Sequence, residues 1–251
     1  MKIQKLAILA AASVAISLNS ASAQALWNAG HGDLGIGYDD LNMVLDPHVH
    51  IHTGATVDNV VLGADAEYAP GDALPQIAFA KSLSRPPGAA WDFFGVSSGQ
   101  PVWIFPATED PSLPFIGFGA EELVPADWTT AFTITLTGLA GSGATAGGEF
   151  SVYQTDGFGT PTVSIQTNDG ISGADAVSLA AGGHAHYNFA FTQPGIYEAT
   201  FHITGNHTLD GAKSADATYK FEVVPEPTSF ALLALGGGAL LLRRWRKAKL
   251  A

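Results

Sequence analysis

The sequence predicts an all-β protein, folded as an antiparallel β-sandwich of the immunoglobulin-like or a related type. Three observations favour this class. Apolar and polar residues alternate with a period of two in short runs, glycine, proline and threonine are frequent between the runs, and helical periodicity is hard to find. Period-two alternation marks strands with one buried face, and several short strands in succession are typical of a sandwich.

The clearest alternating runs lie in the second half of the chain. They occupy residues 132–137, 150–153, 163–165, 186–191, 197–203 and 219–223. A Pro-Gly turn at residues 194–197 leads into a strand through Tyr197, and it resembles the corner before a late strand of immunoglobulin-like sandwiches. The first half is less regular. We expect its aromatic residues, Trp91 and Trp103 among them, to fill the core beneath long loops.

The N-terminal segment, residues 1–23, has the order of parts of a secretory signal peptide. Lys2 and Lys5 carry positive charge, an apolar run follows, and Ala21-Ser22-Ala23 provides the small residues that signal peptidase requires. We therefore expect export across the inner membrane and a mature chain that starts at Gln24.

The C-terminal segment, residues 225–251, has three parts in order. Pro225-Glu226-Pro227 interrupts regular structure, residues 230–242 form an apolar run, and arginine and lysine dominate residues 243–247. A membrane span needs about 20 apolar residues, so the predicted hydrophobic helix is a marginal anchor. By the positive-inside rule the basic cluster is expected to stay on the cytoplasmic side.

This order resembles the PEP-CTERM sorting signal that exosortases read in Gram-negative bacteria. The resemblance implies recognition of Pro225, Glu226 and Pro227, cleavage nearby, and transfer to the cell surface or extracellular matrix. It also implies exosortase and signal peptidase as partners during export, with membrane contact through the C-terminal segment. An ordinary C-terminal membrane tail is the alternative interpretation.

Residues 24–224 between these segments are predicted to form one ectodomain, because no linker or internal repeat divides them. The sequence has no cysteine, which excludes disulfides and thiolate metal sites and leaves stability to the core. The ectodomain carries four basic against 22 acidic residues, a formal net charge of −18. Such a surface repels nucleic acid, which is excluded as a partner, and concentrates cations.

Clustered histidine is the unusual feature of the ectodomain. His48, His50 and His52 form an H-x-H-x-H run, and His184 and His186 form an H-x-H pair. Residues i, i+2 and i+4 of a strand face the same side, so each cluster is expected to present its imidazoles together. His31 lies apart from both clusters in the sequence, two residues before Asp33.

Imidazole is the commonest protein ligand of zinc and also suits copper and nickel, so these clusters predict a transition-metal site, with Zn²⁺ as the expected ion. The candidate ligands are His31, Asp33, His48, His50, His52, His184 and His186. Asp40 and Asp46 are alternative sources of a carboxylate. Two other interpretations stay open: histidines that hydrogen-bond on polar strand faces, and a pH-sensitive cluster. Calcium is a separate possibility near Asp65, Glu67 and Asp72, or near Asp169 and Asp175, although neither stretch has the spacing of an EF-hand or a repeat calcium loop.

Residues 29–33, 103–106, 183–197 and 219–223 together resemble the bacterial choice-of-anchor M domain, which is related to the actinobacterial surface-anchored domain. The resemblance implies a surface-displayed, non-catalytic domain, and it touches the positions of His31, Asp33, His184 and His186. Relatives of this kind tend to be associated with metal-type ABC transport systems. The resemblance therefore favours cation binding, with a metal-transport system as a partner.

The predicted function is that of an exported, surface-anchored, non-catalytic protein that captures a transition metal. The alternative is a structural or adhesive component of the extracellular matrix or envelope, with extracellular polysaccharide as its partner if Trp91 and Trp103 are exposed. A secreted metallohydrolase would need an open zinc position and a carboxylate base, and no H-E-x-x-H motif is present. An enzyme is therefore not expected.

Overall fold

A computed structural model describes residues 24–226, and almost every element in that range is a strand. The predicted signal peptide and C-terminal hydrophobic helix fall on residues 1–23 and 227–251, outside the described residues. Among residues 24–226, no helix has the length and apolar character that crossing a membrane requires.

The strands are β1 (Ala25–Asp39), β2 (Val44–Ile51), β3 (Thr56–Val57), β4 (Val60–Val61), β5 (Ala66–Tyr68), β6 (Ala73–Ala78), β7 (Leu83–Ser84), β8 (Pro101–Phe105), β9 (Pro114–Gly119), β10 (Phe132–Ala140), β11 (Phe150–Thr155), β12 (Pro161–Gln166), β13 (Ala176–Leu179), β14 (His184–His186), β15 (Asn188–Phe191), β16 (Gly195–His207) and β17 (Gly211–Val224). A short helix, α1 (Gly141–Thr145), and 3-10 helices at Phe79–Lys81, Ala89–Phe94 and Pro125–Asp127 complete the elements. The alternating runs of the second half lie in strands, as the sequence predicts, but the 186–191 run is divided at Tyr187 between β14 and β15.

The strands form two sheets that face each other. The larger sheet follows the order β13-β10-β16-β17-β6-β1-β2-β5, with β9 paired to β1 and β14 paired to β9. The smaller sheet follows the order β12-β11-β15-β8-β7. The two-layer arrangement confirms the predicted β-rich, sandwich-like fold at this level of detail.

Strand direction differs from the antiparallel prediction at three pairings. β1 runs parallel to β6 and to β9, and β6 runs parallel to β17, so the larger sheet is mixed. The first half is also more regular than expected, since β1 alone spans 15 residues. In β1, glycine alternates with Leu34 and Ile36 where polar residues would mark the outer face of a strand. The period-two pattern is therefore difficult to recognise from the sequence.

Aromatic side chains fill the space between the sheets. Phe221 of β17 lies within 6.4 Å of the ring centroids of several phenylalanines of the smaller sheet: Phe105, Phe150, Phe189 and Phe191. Trp103 is 1% exposed, and Trp91 is partly buried against Phe94. The prediction that the aromatics of the first half belong to the interior is confirmed for Trp103, and large rings of this kind contribute strongly to core stability.

One part of the larger sheet, in the order β2-β1-β9-β14, carries the histidines. Its inner face buries apolar side chains: Leu34, Ile36, Val49, Ile51, Ile116 and Phe118. Because side chains alternate across a strand, the residues between these positions face the other way, on the side of the sheet opposite the core.

Candidate metal centre

Strand register brings the two histidine clusters and Asp33 to the same face of the sheet. Asp33 on β1 lies opposite His50 on β2 and opposite Gly117 on β9, and Gly117 lies opposite His186 on β14. These residues therefore form one row across four strands, because paired positions project to the same side.

A second row runs beside the first. Gly35 on β1 lies opposite His48 on β2 and Gly119 on β9, and Gly119 lies opposite His184 on β14. The two rows place the histidines of β2 at one edge of a surface and those of β14 at the other. The middle of this surface, the glycine floor, consists of Asp33, Gly35, Gly117 and Gly119.

The glycines of this floor make room for the polar side chains. A Cβ atom at Gly117 would overlap the carboxylate of Asp33, and one at Gly119 would stand 2.9 Å from the Cβ atom of Asp33. A Cβ atom at Gly35 would overlap the imidazole of His48. Asp33 and His48 therefore lie across neighbouring strands in space that only glycine leaves open.

His31, His184 and His186 converge, with one ring nitrogen from each within 4.8 Å of the others. The ring centroids of His31 and His186 are 4.9 Å apart, and Phe115 stacks on His186 at 3.7 Å. Three imidazoles at this spacing can hold a zinc ion and leave a fourth tetrahedral position for water or a carboxylate.

Three buried polar atoms at this site have no hydrogen-bond partner within residues 24–226: Nε2 of His31, Oδ1 of Asp33 and Nδ1 of His186. An unsatisfied buried donor or acceptor costs about 1–3 kcal/mol, and native proteins contain few of them. All three atoms are of the types that ligate metals, so a cation bound beside them would supply a missing partner.

Asp33 is 2% exposed and contacts two histidines. Its Oδ2 atom lies 3.4 Å from Nε2 of His31 and 3.3 Å from Nε2 of His52. The His31 contact is electrostatic, because Nε2 of His31 makes no hydrogen bond within the described residues. Burial alone would raise the pKa of Asp33, but the contact with His31 and the charges of His31 and His186 outweigh burial and lower that pKa.

The pKa values of His31 and His186 are shifted in opposite directions. The pKa of His31 is raised chiefly by its contact with Asp33, against the opposing effect of burial. The pKa of His186 is lowered, chiefly by burial. His186 is therefore held in the neutral form that binds metal, whereas His31 gains a proton more readily.

The run from 48 to 52 contributes to three further groups with carboxylates, one of which joins His52 to His31 and Asp33. His48 and His50 join Glu122, and His50 and His52 join Asp65, each group with its ligand atoms within 4.8 Å of one another. Burial would lower the pKa of His50, but its contacts with Glu122 and Asp65 outweigh burial and raise it.

All of the predicted ligands lie in this one array, which links His184 and His186 through His31 and Asp33 to the 48–52 run. The carboxylate comes from Asp33, while Asp40 and Asp46 are exposed and belong to none of the ligand groups. Asp65, considered above for calcium, lies beside His50 and His52.

The second calcium candidate has a structural role in the described residues. The carboxylate of Asp175 accepts hydrogen bonds from the backbone amides of Gln166 and Ser172, and Asp169 accepts one from the side chain of Gln166. These bonds hold the turn that precedes β13.

Sequence reasoning missed the contributions of β9 and of the turn after it. Glu121 lies 2.6 Å from Nδ1 of His184, and Glu122 lies 3.2 Å from Nδ1 of His50. The available signal was the run of Gly117-Phe118-Gly119, since glycine at alternate positions of a strand indicates close approach of another chain segment.

Residues 95–99 also match the G-x-S-x-G pattern, which sequence reasoning passed over. In an α/β-hydrolase this motif stands on a turn from a strand to a helix. Here Gly95 ends a 3-10 helix, and an exposed turn leads from it into β8. Ser97 is exposed and is bonded to no histidine among residues 24–226, so the match has no catalytic context.

No family model, curated protein or solved structure matches this chain.

Proposed function

We propose that this protein is an exported, non-catalytic binding protein that captures a transition-metal ion, with Zn²⁺ the expected ion, through His31, His184 and His186. The observation that carries the proposal is the convergence of these imidazoles, together with buried ring nitrogens of His31 and His186 that have no partner among residues 24–226. Buried polar groups are nearly always satisfied, so a cluster of unsatisfied ligand atoms points to an ion.

The donor set favours borderline transition metals over calcium or magnesium. Imidazole nitrogen is a good ligand for zinc, copper and nickel, while calcium takes six or more oxygen ligands. Cu²⁺ is expected to bind more tightly than Zn²⁺ to the same nitrogen ligands, so the ion that the exported protein holds depends on which metals are available to it.

Contacts of carboxylates with the candidate histidines also support metal binding. Metal-binding histidines usually hold their second ring nitrogen against a carboxylate or carbonyl, which orients the ring. Nδ1 of His184 lies 2.6 Å from Glu121, which leaves its Nε2 atom for a metal. The acidic surface of the ectodomain raises the local concentration of cations around this site.

We also propose that the sandwich is of the immunoglobulin-like type. The hydroxyl group of Tyr197 donates to the carbonyl oxygen of Gln193 at 2.8 Å and accepts from its amide at 3.0 Å. A tyrosine bonded back to the backbone a few residues upstream is a mark of such sandwiches. The PEP-CTERM and choice-of-anchor M resemblances support a location at the envelope or outer surface, with exosortase as the proposed sorting partner.

The adhesive alternative is less well supported. Trp103 is buried and its Nε1 atom donates to the carbonyl oxygen of Phe79 at 2.9 Å, while the ring of Trp91 stacks on Phe94. A polysaccharide surface built on both tryptophans would need two free ring faces.

Calorimetric titration of the full-length chain with Zn²⁺ tests the proposal. We expect binding that is lost or weakened at least tenfold in the His184→Ala/His186→Ala double variant, because two of the three nitrogen ligands are removed. His202→Ala is the matched control, since His202 pairs with Asp216 outside the array. Binding no tighter than about tens of micromolar, or binding unchanged in the double variant, would overturn the proposal.

A further inference from the structure

We propose that the array binds two transition-metal ions at once, and that His48, His50 and Glu122 hold the second ion. This inference rests on the proposed function, since it extends the same array by a separate ligand group. The second group shares no residue with His31, His184 and His186, so both groups can be filled together.

The three ligands of the second group face one another. Oε1 of Glu122 lies 3.4 Å from Nε2 of His48 and 3.2 Å from Nδ1 of His50. An ion between two imidazoles and one carboxylate has a donor set found in zinc sites, with a fourth position for water.

The protonation of His48 is suited to this role. Its Nδ1 atom lies 2.9 Å from the carbonyl oxygen of Asp46, and a carbonyl oxygen only accepts hydrogen bonds. Nδ1 therefore carries the proton, which leaves the lone pair of Nε2 directed towards Glu122. A backbone carbonyl that fixes the tautomer of a ligating histidine is a recurrent feature of metal sites.

A pocket lies beside this group, lined by His48, His50, Glu122 and the glycine floor at Gly35 and Gly119. Asp33 also lines it and is 2% exposed. Its carboxylate adds a buried negative charge beside the pocket, and this charge favours a cation there.

Asp33 occupies the position between the two groups. It contacts His31 of the first group and lines the pocket of the second, so its single negative charge lies near both proposed ions. The third group, His50, His52 and Asp65, shares His50 with the second group and competes with it for the same ion. This side of the array therefore accommodates one ion.

The number of Zn²⁺ ions bound to each full-length chain tests the inference, measured by equilibrium dialysis and elemental analysis. We expect two ions in the unmodified chain and one in His184→Ala/His186→Ala. We also expect one ion in His48→Gln/Glu122→Gln, and two in the control His202→Gln/Asp216→Asn, whose residues pair outside the array. His52→Gln/Asp65→Asn removes two ligands of the competing third group and tells which group holds the second ion. Far-UV circular dichroism and the thermal midpoint of each variant establish that it is folded, and Co²⁺ absorption reports on the remaining site.

The outcomes separate this inference from the proposed function. A single ion in the unmodified chain, retained in His48→Gln/Glu122→Gln and lost in His184→Ala/His186→Ala, overturns the second site and leaves the first intact. Loss of one ion in His52→Gln/Asp65→Asn, but not in His48→Gln/Glu122→Gln, overturns the assignment of its ligands. Absence of any bound ion overturns the proposed function itself.

Discussion

Asp33 on β1 lies directly opposite Gly117 on the parallel strand β9, and its carboxylate occupies the space where a side chain at position 117 would stand. This relationship links the fold to the site. The parallel pairing of β1 with β9 brings β14 within reach, and β14 carries His184 and His186. The buried carboxylate can lie between both histidine clusters only because residue 117 has no side chain.

The first prediction concerns this close approach. Gly117→Ala forces the carboxylate of Asp33 out of its position, and we expect it to lower the free energy of unfolding by about 1–3 kcal/mol, the usual cost of overpacking. We also expect weaker Zn²⁺ binding, because the contact between Asp33 and His31 is disturbed. Chemical denaturation and calorimetric titration of the same preparation measure both effects.

Gly157→Ala is the matched control for this substitution. A Cβ atom at Gly157 meets nothing within 4 Å, so the control adds the same methyl group without a clash. Equal stability and equal Zn²⁺ affinity in the two variants would show that the space beside Asp33 does not matter.

The second prediction concerns the protonation of His31 in the metal-free chain. Its contact with Asp33 is the largest cause of its raised pKa, and burial acts in the opposite direction. Asp33→Asn removes the favourable contact and leaves the burial, so we expect the pKa of His31 to fall. Titration of the imidazole resonances by NMR measures this shift.

Asp216→Asn provides the comparison, since Asp216 pairs with His202 outside the array. It should leave the pKa of His31 where it is. An equal pKa of His31 in the unmodified chain and in Asp33→Asn would contradict the ion contact that we describe between these residues.

The sequence predicted the features of the site that depend on a single strand. It did not predict the features that depend on pairing between strands distant in the chain. Alternation within the 48–52 run and within 184–186 was enough to place each set of imidazoles on one face. Nothing local shows that β1 pairs with β9, because their paired residues lie more than 80 positions apart in the chain. Glu121 and Glu122 enter the site through that long-range pairing, and an isolated Glu-Glu pair ordinarily belongs to a solvated turn.

The third prediction is that the affinity for metal decreases as the pH is lowered, because a protonated histidine must lose its proton before it can bind the ion. The pKa of His31 is raised, so proton competition at this ligand begins above pH 6.5. The pKa of His186 is lowered, so this ligand stays neutral to lower pH. We expect the dissociation constant for Zn²⁺ to rise as the pH falls through the raised pKa of His31, by about tenfold per pH unit for each proton displaced.

Calorimetric titration at pH 8, 7 and 6, in two buffers with different ionisation enthalpies, measures both the affinity and the number of protons released. Proton release near pH 6.5 should diminish in Asp33→Asn, because a lowered pKa of His31 leaves fewer protons for the metal to displace. An affinity that is the same at pH 8 and pH 6 would argue against imidazole ligands.

The fourth prediction tests the packing of the two sheets. Phe221 is fully buried, and its ring contacts four phenylalanines of the smaller sheet. Phe221→Ala removes contacts on both sides of the interface and leaves a cavity, so we expect the free energy of unfolding to fall by about 3–5 kcal/mol. Urea denaturation of the metal-free chain, followed by tryptophan fluorescence, measures the change.

Phe158→Ala is the control, because Phe158 is 98% exposed on the turn between β11 and β12 and the same truncation there removes no buried contact. We expect that variant to remain within about 0.5 kcal/mol of the unmodified chain, as is usual for surface substitutions. Comparable stabilities for the two variants would be incompatible with Phe221 lying between the sheets. The metal site lies on the far side of the larger sheet from Phe221, so a Phe221→Ala chain that stays folded should still bind Zn²⁺.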